Sequence, residues 1–171
     1  MIRLLAAALL CTAPTQDDDF FGKFKGKTPP ELIADEGAWI NSTGVKLADL
    51  KGKGVVWVEF SFIKCTGCKR MKPTLVKWHH EWGPKGLTVI DVDDGNQDLL
   101  PELKEFVKAG GYPFPVLYDR EGRTVAAYGV QAMPVGYLIG VDGTVIWEGV
   151  PNLKLPEIET LIEKELGKLK K

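Results

Sequence analysis

The chain has 171 residues, 44% of them hydrophobic and 26% charged, the balance of a single globular domain that can bury a core. Its 22 Lys and Arg against 23 Asp and Glu leave it close to neutral, which argues against a polybasic nucleic-acid binder and against an acidic tail protein. No apolar run approaches the ~18 residues of a membrane-spanning helix, and three cysteines are too few for a disulfide-stapled scaffold.

In chain order, Arg3, the Leu/Ala run Leu4–Leu10 and the segment Cys11-Thr12-Ala13 read as a short secretory signal over residues 1–13, cut after Ala13. Lipidation of Cys11 is the weaker alternative, because Leu10 stands where such signals place a small residue. Loss of Cys11 with the signal leaves two cysteines, an even number suited to an oxidising compartment. Residues 14–30 read as a linker, with the acidic triplet Asp17–Asp19, glycines and Pro29-Pro30; Phe20, Phe21 and Phe24 are its docking points. Residues 31–171 form the domain.

Trp39-Ile40 and Val45–Leu47 flank Asn41-Ser42-Thr43-Gly44, a hairpin-like signal. Val55–Phe62 is a run of β-branched and aromatic residues, the pattern of a strand buried on both faces. Met71, Leu75, Val76, Trp78 and Trp82 recur at helical spacing after Cys68. A strand over Leu87–Val92, a helix over Leu99–Val107 and a short strand over Val116–Tyr118 follow. Val135–Val141 and Thr144–Trp147 pair across Asp142-Gly143 as a hairpin, and Pro156 opens a last helix with the stripe Ile158, Leu161, Ile162, Leu166 and Leu169. The order predicts a three-layer α/β domain with a mixed sheet.

Cys65-Thr66-Gly67-Cys68 follows the buried strand and opens a helix. A helix start stabilises negative charge, and Lys64, Lys69 and Arg70 add to it, so Cys65 reads as the attacking thiolate and Cys68 as the resolving thiol. A zinc site lacks its second half, since His79-His80 are adjacent helical positions on different faces. A purely structural disulfide adds little, because so short a loop removes little chain entropy. Glu59 is a lone acid in VVWVEFSF; desolvation there raises its pKa and suits it to act as general base for Cys68. Solvent exposure through strand alternation, or pairing with a lysine, is the competing reading of Glu59.

The segment WVEFSFIKCTGCKRMKP resembles the active-site region of thioredoxin-fold proteins. Glu59 stands where thioredoxins carry a buried acid, and Pro73 where the family's helix contains proline. Val130–Pro134 followed by VGYLIGVDGTVI is similar to the family's cis-proline loop and closing hairpin. GKTPPELI, LADLKGKGVVWVEF and VKAGGYPFPVLYDREGRTVAAYGVQAMP resemble the TlpA/ResA-like branch, periplasmic thiol–disulfide proteins with an extra β-element and an inserted helical segment. The resemblance implies a thioredoxin fold with an N-terminal β-hairpin extension and that insertion. It implies a cis Met133–Pro134 bond and a substrate surface made by Thr66, Gly67, Met133 and Pro134. It further implies disulfide-bearing partner proteins, a membrane electron donor, and an exported monomer that needs no cofactor, metal or nucleic acid.

Three departures stand out: Lys64 replaces the usual tryptophan, Thr66-Gly67 lacks a proline, and Glu59 replaces the Asn of many branch members or the Asp of thioredoxin. These features set the reduction potential, so a disulfide oxidase or isomerase stays open, as does copper binding by Cys65 and Cys68. A peroxiredoxin assignment fails on Phe62, where that family has threonine or serine.

Overall fold

The structure, a computed structural model, describes residues 23–170. The signal and lipidation readings, Phe20 and Phe21 lie outside them. Six strands, β1 (Trp39–Ile40), β2 (Val55–Ser61), β3 (Leu87–Asp94), β4 (Val116–Asp119), β5 (Val135–Ile139) and β6 (Val145–Gly149), form one mixed sheet in the order β1-β4-β3-β2-β5-β6. β2, β3 and β4 run parallel, whereas β5 lies antiparallel against β2 and β6 against β5. The parallel pairs need crossovers, and helices α2 (Thr66–Trp82) and α3 (Leu100–Gly110) supply them.

Strand alternation divides the core into two layers. Val55 and Trp57 of β2 and Leu87 and Val89 of β3 pack against α2, α3 and α5 (Leu155–Leu166). Val56, Val58 and Phe60 face the other way, with Tyr128 of α4 (Arg123–Tyr128) and Tyr137 of β5. Every residue of β2 is buried, which is why its sequence lacks an apolar–polar alternation. The stripe of the last helix is borne out: Ile158, Ile162 and Leu166 are buried, and Leu161 and Leu169 pack against the same cluster. The hairpin β5–β6 forms as expected. Helix α4 is too short to show a period in sequence.

The expected N-terminal hairpin is corrected. Trp39-Ile40 pairs antiparallel with β4, while Val45 leads into helix α1 (Leu47–Leu50). Polar side chains decide this. Asn41 adopts a left-handed conformation (φ 59°) and donates its amide to the carbonyls of Tyr112 and Phe114. The Glu31 carboxylate takes the N–H groups of Leu47 and Ala48, satisfying a helix start rather than a strand edge. The N-terminal element is thus a single short strand. Residues 23–30 also lie against the body: Phe24 packs on Tyr128 and Tyr137, and Lys25 bridges to Val145.

Candidate active site

β2 ends at Ser61, and a turn closed by Cys65 N–H donating to the Phe62 carbonyl (3.1 Å) delivers the chain to α2. Cys65 is the N-cap of that helix: its sulfur accepts from the Cys68 N–H at 3.0 Å, where other helices use a hydroxyl or carboxylate oxygen. Cys65 and Cys68 are joined as a disulfide. Cys65 keeps 7% of its surface exposed and Cys68 none, so only the first sulfur can be touched from outside. Lys64, Lys69 and Arg70 are all exposed around it, and with the helix terminus they favour a thiolate on Cys65 in the reduced protein.

The other sequence-predicted residues gather at this disulfide. The Met133–Pro134 bond is cis, and the Met133 carbonyl oxygen lies 3.7 Å from Cys65 Sγ. A Cβ on Gly67 would come within 2.9 Å of Pro134 Cδ, so a side chain there would push the two loops apart. Thr66 opens the helix on the exposed side. A cleft of about 210 Å³ beside Met133 is lined by Phe62, Gln97, Val130 and Gln131. Two bonds unforeseen in the sequence steady the turn from either side. The Ile63 N–H donates to Asp98, and Asn152 Nδ2 donates to the Gly67 carbonyl at 3.0 Å.

Glu59 is fully buried on the α2 face of β2. Its Oε2 accepts from Trp57 Nε1 at 3.3 Å, whereas Oε1 has no partner. Burial pushes its carboxyl up to about 8, opposed by the Lys72 ammonium and assisted by the Asp91 carboxylate. The exposed reading of Glu59 therefore fails, and a lysine does face it from within the core.

That lysine belongs to a buried cluster that sequence reasoning missed. Lys72 lies one helical turn beyond Cys68 and is 2% exposed. Its ammonium pairs with Asp91 and donates to Ser61 Oγ (2.9 Å), which itself donates to Asp91 (2.8 Å). Asp91 is the register partner of Glu59 on the parallel strand. Burial lowers the Lys72 pKa, but Asp91 and Glu59 more than offset this and hold it above the ordinary lysine range. Asp93, on the same face, is pushed up to about 9 by burial and by Asp91 and Asp98. The signal was present in LTVIDVDD: Asp91 and Asp93 continue the inward positions of Leu87 and Val89. His79 and His80 sit near the far end of α2, about 16 Å along the axis from Cys68. Among the described residues, no three His, Cys, Asp or Glu side chains form a metal-holding group.

Residues 26–148, more than two thirds of the chain, match the model of the AhpC/TSA family. The chain belongs to that family. It is 28% identical over 170 residues to the thiol-disulfide oxidoreductase ResA of Bacillus thuringiensis, covering 96% of this chain and 95% of that one. Against ResA of Bacillus cereus the identity is 30% over 139 residues, covering 81% and 77%. A solved thiol:disulfide interchange protein of the thioredoxin family, from Chlorobium tepidum, superposes with a TM-score of 0.68 over 85% of this chain and 99% of its own; at 20% identity that likeness establishes the fold alone. This family member has the thioredoxin-like fold expected from the sequence, and it is a protein thiol–disulfide oxidoreductase whose CxxC pair stands at disulfide distance. Among the described residues, no helix is long and apolar enough to cross a membrane.

Proposed function

We propose that the protein reduces disulfides in exported partner proteins, with Cys65 as nucleophile, Cys68 as resolving thiol and Glu59 as general base. The Cys65 thiolate attacks one partner sulfur, the partner S–S bond breaks, and the first partner thiolate leaves. Cys68 gives its proton to Glu59 and attacks Cys65 Sγ, expelling the second partner thiolate. The partner gains two electrons and the enzyme ends as the Cys65–Cys68 disulfide. A membrane electron donor then restores the dithiol. Thr66, Gly67, Met133 and Pro134 form the surface that receives the partner, and the protein works as an exported monomer behind a signal at residues 1–13.

The observation that carries this reading is the asymmetry of the two cysteines, Cys65 keeping 7% of its surface exposed and Cys68 none. Cys68 and Lys72 are both buried residues of α2, one helical turn apart, and Glu59 is buried on the face of β2 that α2 covers. The likeness to ResA, a thiol-disulfide oxidoreductase, supports dithiol–disulfide exchange in either direction. One observation favours the opposite direction: a helix terminus and three cations that stabilise the Cys65 thiolate also stabilise the reduced protein, which makes a stronger oxidant. The reduction potential of the pair decides. A value below the glutathione poise of about −220 to −260 mV fits the reductase, and one well above it fits the oxidase. Mass spectrometry of Cys68→Ser with a candidate partner tests the roles: the trapped mixed disulfide is expected at Cys65.

A further inference from the structure

The mechanism proposed above gives no task to the only cation in the buried cluster described beneath the thiols. We propose that Lys72 is a positioning residue for the release step: its buried ammonium, set between the register partners Glu59 and Asp91 one turn beyond Cys68, sets the pH at which Glu59 takes the Cys68 proton. This rests on Glu59 as the acceptor.

The groups that face the ammonium come from each neighbouring element. Glu59 and Ser61 project from β2, Asp91 and Asp93 from β3, and Tyr112 from the loop after α3, while Cys68 precedes Lys72 by one turn on α2. A lysine that merely neutralised Asp91 would be a poor device, because a buried ion pair is commonly no more stabilising than apolar residues of equal volume. Its position gives the charge a second use. When Glu59 ionises, a second carboxylate appears opposite Asp91 in the ladder, and Lys72 is the one group placed to offset both. Asp93 is held protonated by burial and adds no negative charge near neutrality. Glu59 Oε1 has no protein partner, which leaves that oxygen free to accept a proton.

The geometry makes the two members of the ion pair act with opposite sign. Removing the Lys72 charge leaves Glu59 facing Asp91 without a counterion, so Glu59 holds its proton to higher pH. Neutralising Asp91 removes the repulsion and leaves Lys72 to Glu59, so Glu59 ionises at lower pH.

The test uses the reduced full chain mixed with Ellman's reagent in a stopped-flow instrument. The first phase reports attack by Cys65, and the second reports release of the mixed disulfide. Lys72→Met is expected to move the midpoint of the second phase upward by about one pH unit and to slow it ~10-fold at pH 7. Asp91→Asn, which keeps the Lys72 bond to Ser61, is expected to move the midpoint downward. It serves alone if Lys72→Met does not fold. The first phase should stay within about twofold throughout, since a group that acts only after attack leaves that step's barrier unchanged. In a Glu59→Gln background, Lys72→Met should add nothing.

A midpoint unmoved by either variant, or moved in the same direction by both, overturns the role of Lys72. If Glu59→Gln still slows release in that case, the Glu59 reading survives. A Lys72→Met shift that persists in the Glu59→Gln background overturns the proposal by showing that the charge acts through another group.

Discussion

The two faces of β2 carry the same backbone through the same sheet and are built to opposite rules. On one face Val56, Val58 and Phe60 belong to an apolar and aromatic cluster, with Phe60 packed 4.9 Å from Tyr128 and 5.7 Å from Tyr137 between ring centroids. On the other, Val55 and Trp57 begin an equally apolar layer in which Trp57 meets Trp78 edge-on and stacks on Trp147. Two residues further on, that layer gives way to Glu59 and Ser61 under the first turns of α2. The change coincides with the end of the strand that approaches the disulfide. Burying polar and charged groups is unfavourable unless they are paired, and here the Lys72–Asp91 ion pair with its Ser61 bonds supplies that pairing on one face of the strand end.

Substitutions on each face break or sharpen that contrast. Phe60→Ala should be the most damaging to the fold, by about 3–5 kcal/mol in urea unfolding, while the rate of Cys65 attack per folded molecule stays unchanged. Glu59→Gln should do the reverse. Release of the mixed disulfide slows by ~10²-fold, and the protein becomes more stable at pH 8, on the order of 1–3 kcal/mol. The sign follows from proton binding. With Glu59 up at about 8 and Asp93 at about 9, the folded state holds protons that the unfolded chain releases near pH 4. The native fold therefore loses stability as pH rises through that window, and Glu59→Gln should flatten the loss.

Gly136 of β5 is the antiparallel register partner of Glu59, and a Cβ there would land in the Trp57 ring. Gly136→Ala should cost about 1–3 kcal/mol by forcing Trp57, and with it the indole donor to Glu59, out of place. Asn152→Ala should be mildest, about 1 kcal/mol from the lost bond to the Gly67 carbonyl, with no change in the pH profile of release.

The legibility of the molecule follows the same division. The apolar face, the crossover helix after the CxxC and the closing hairpin were readable because their residues repeat at the period of their element. The CxxC itself was readable because a thiol at a helix start has one dominant use. What escaped depends on contacts between distant segments. The hairpin signal at Asn41–Gly44 failed because Asn41 and Glu31 spend their side chains on backbone groups far away in sequence. Lys72 resembled an ordinary solvent-facing helical lysine, and only the placement of Asp91 opposite Glu59 shows why it is buried.

Direct titration of the Glu59 carboxyl is the measurement that decides whether burial holds it in a protonation range useful to Cys68. Carbon-13 NMR of glutamate-labelled protein in the disulfide form, with Glu59→Gln to assign the signal, should show one glutamate titrating near pH 8. A Glu59 signal that titrates near 4.5, with the other glutamates, would exclude Glu59 as the acceptor of the Cys68 proton by a raised carboxyl.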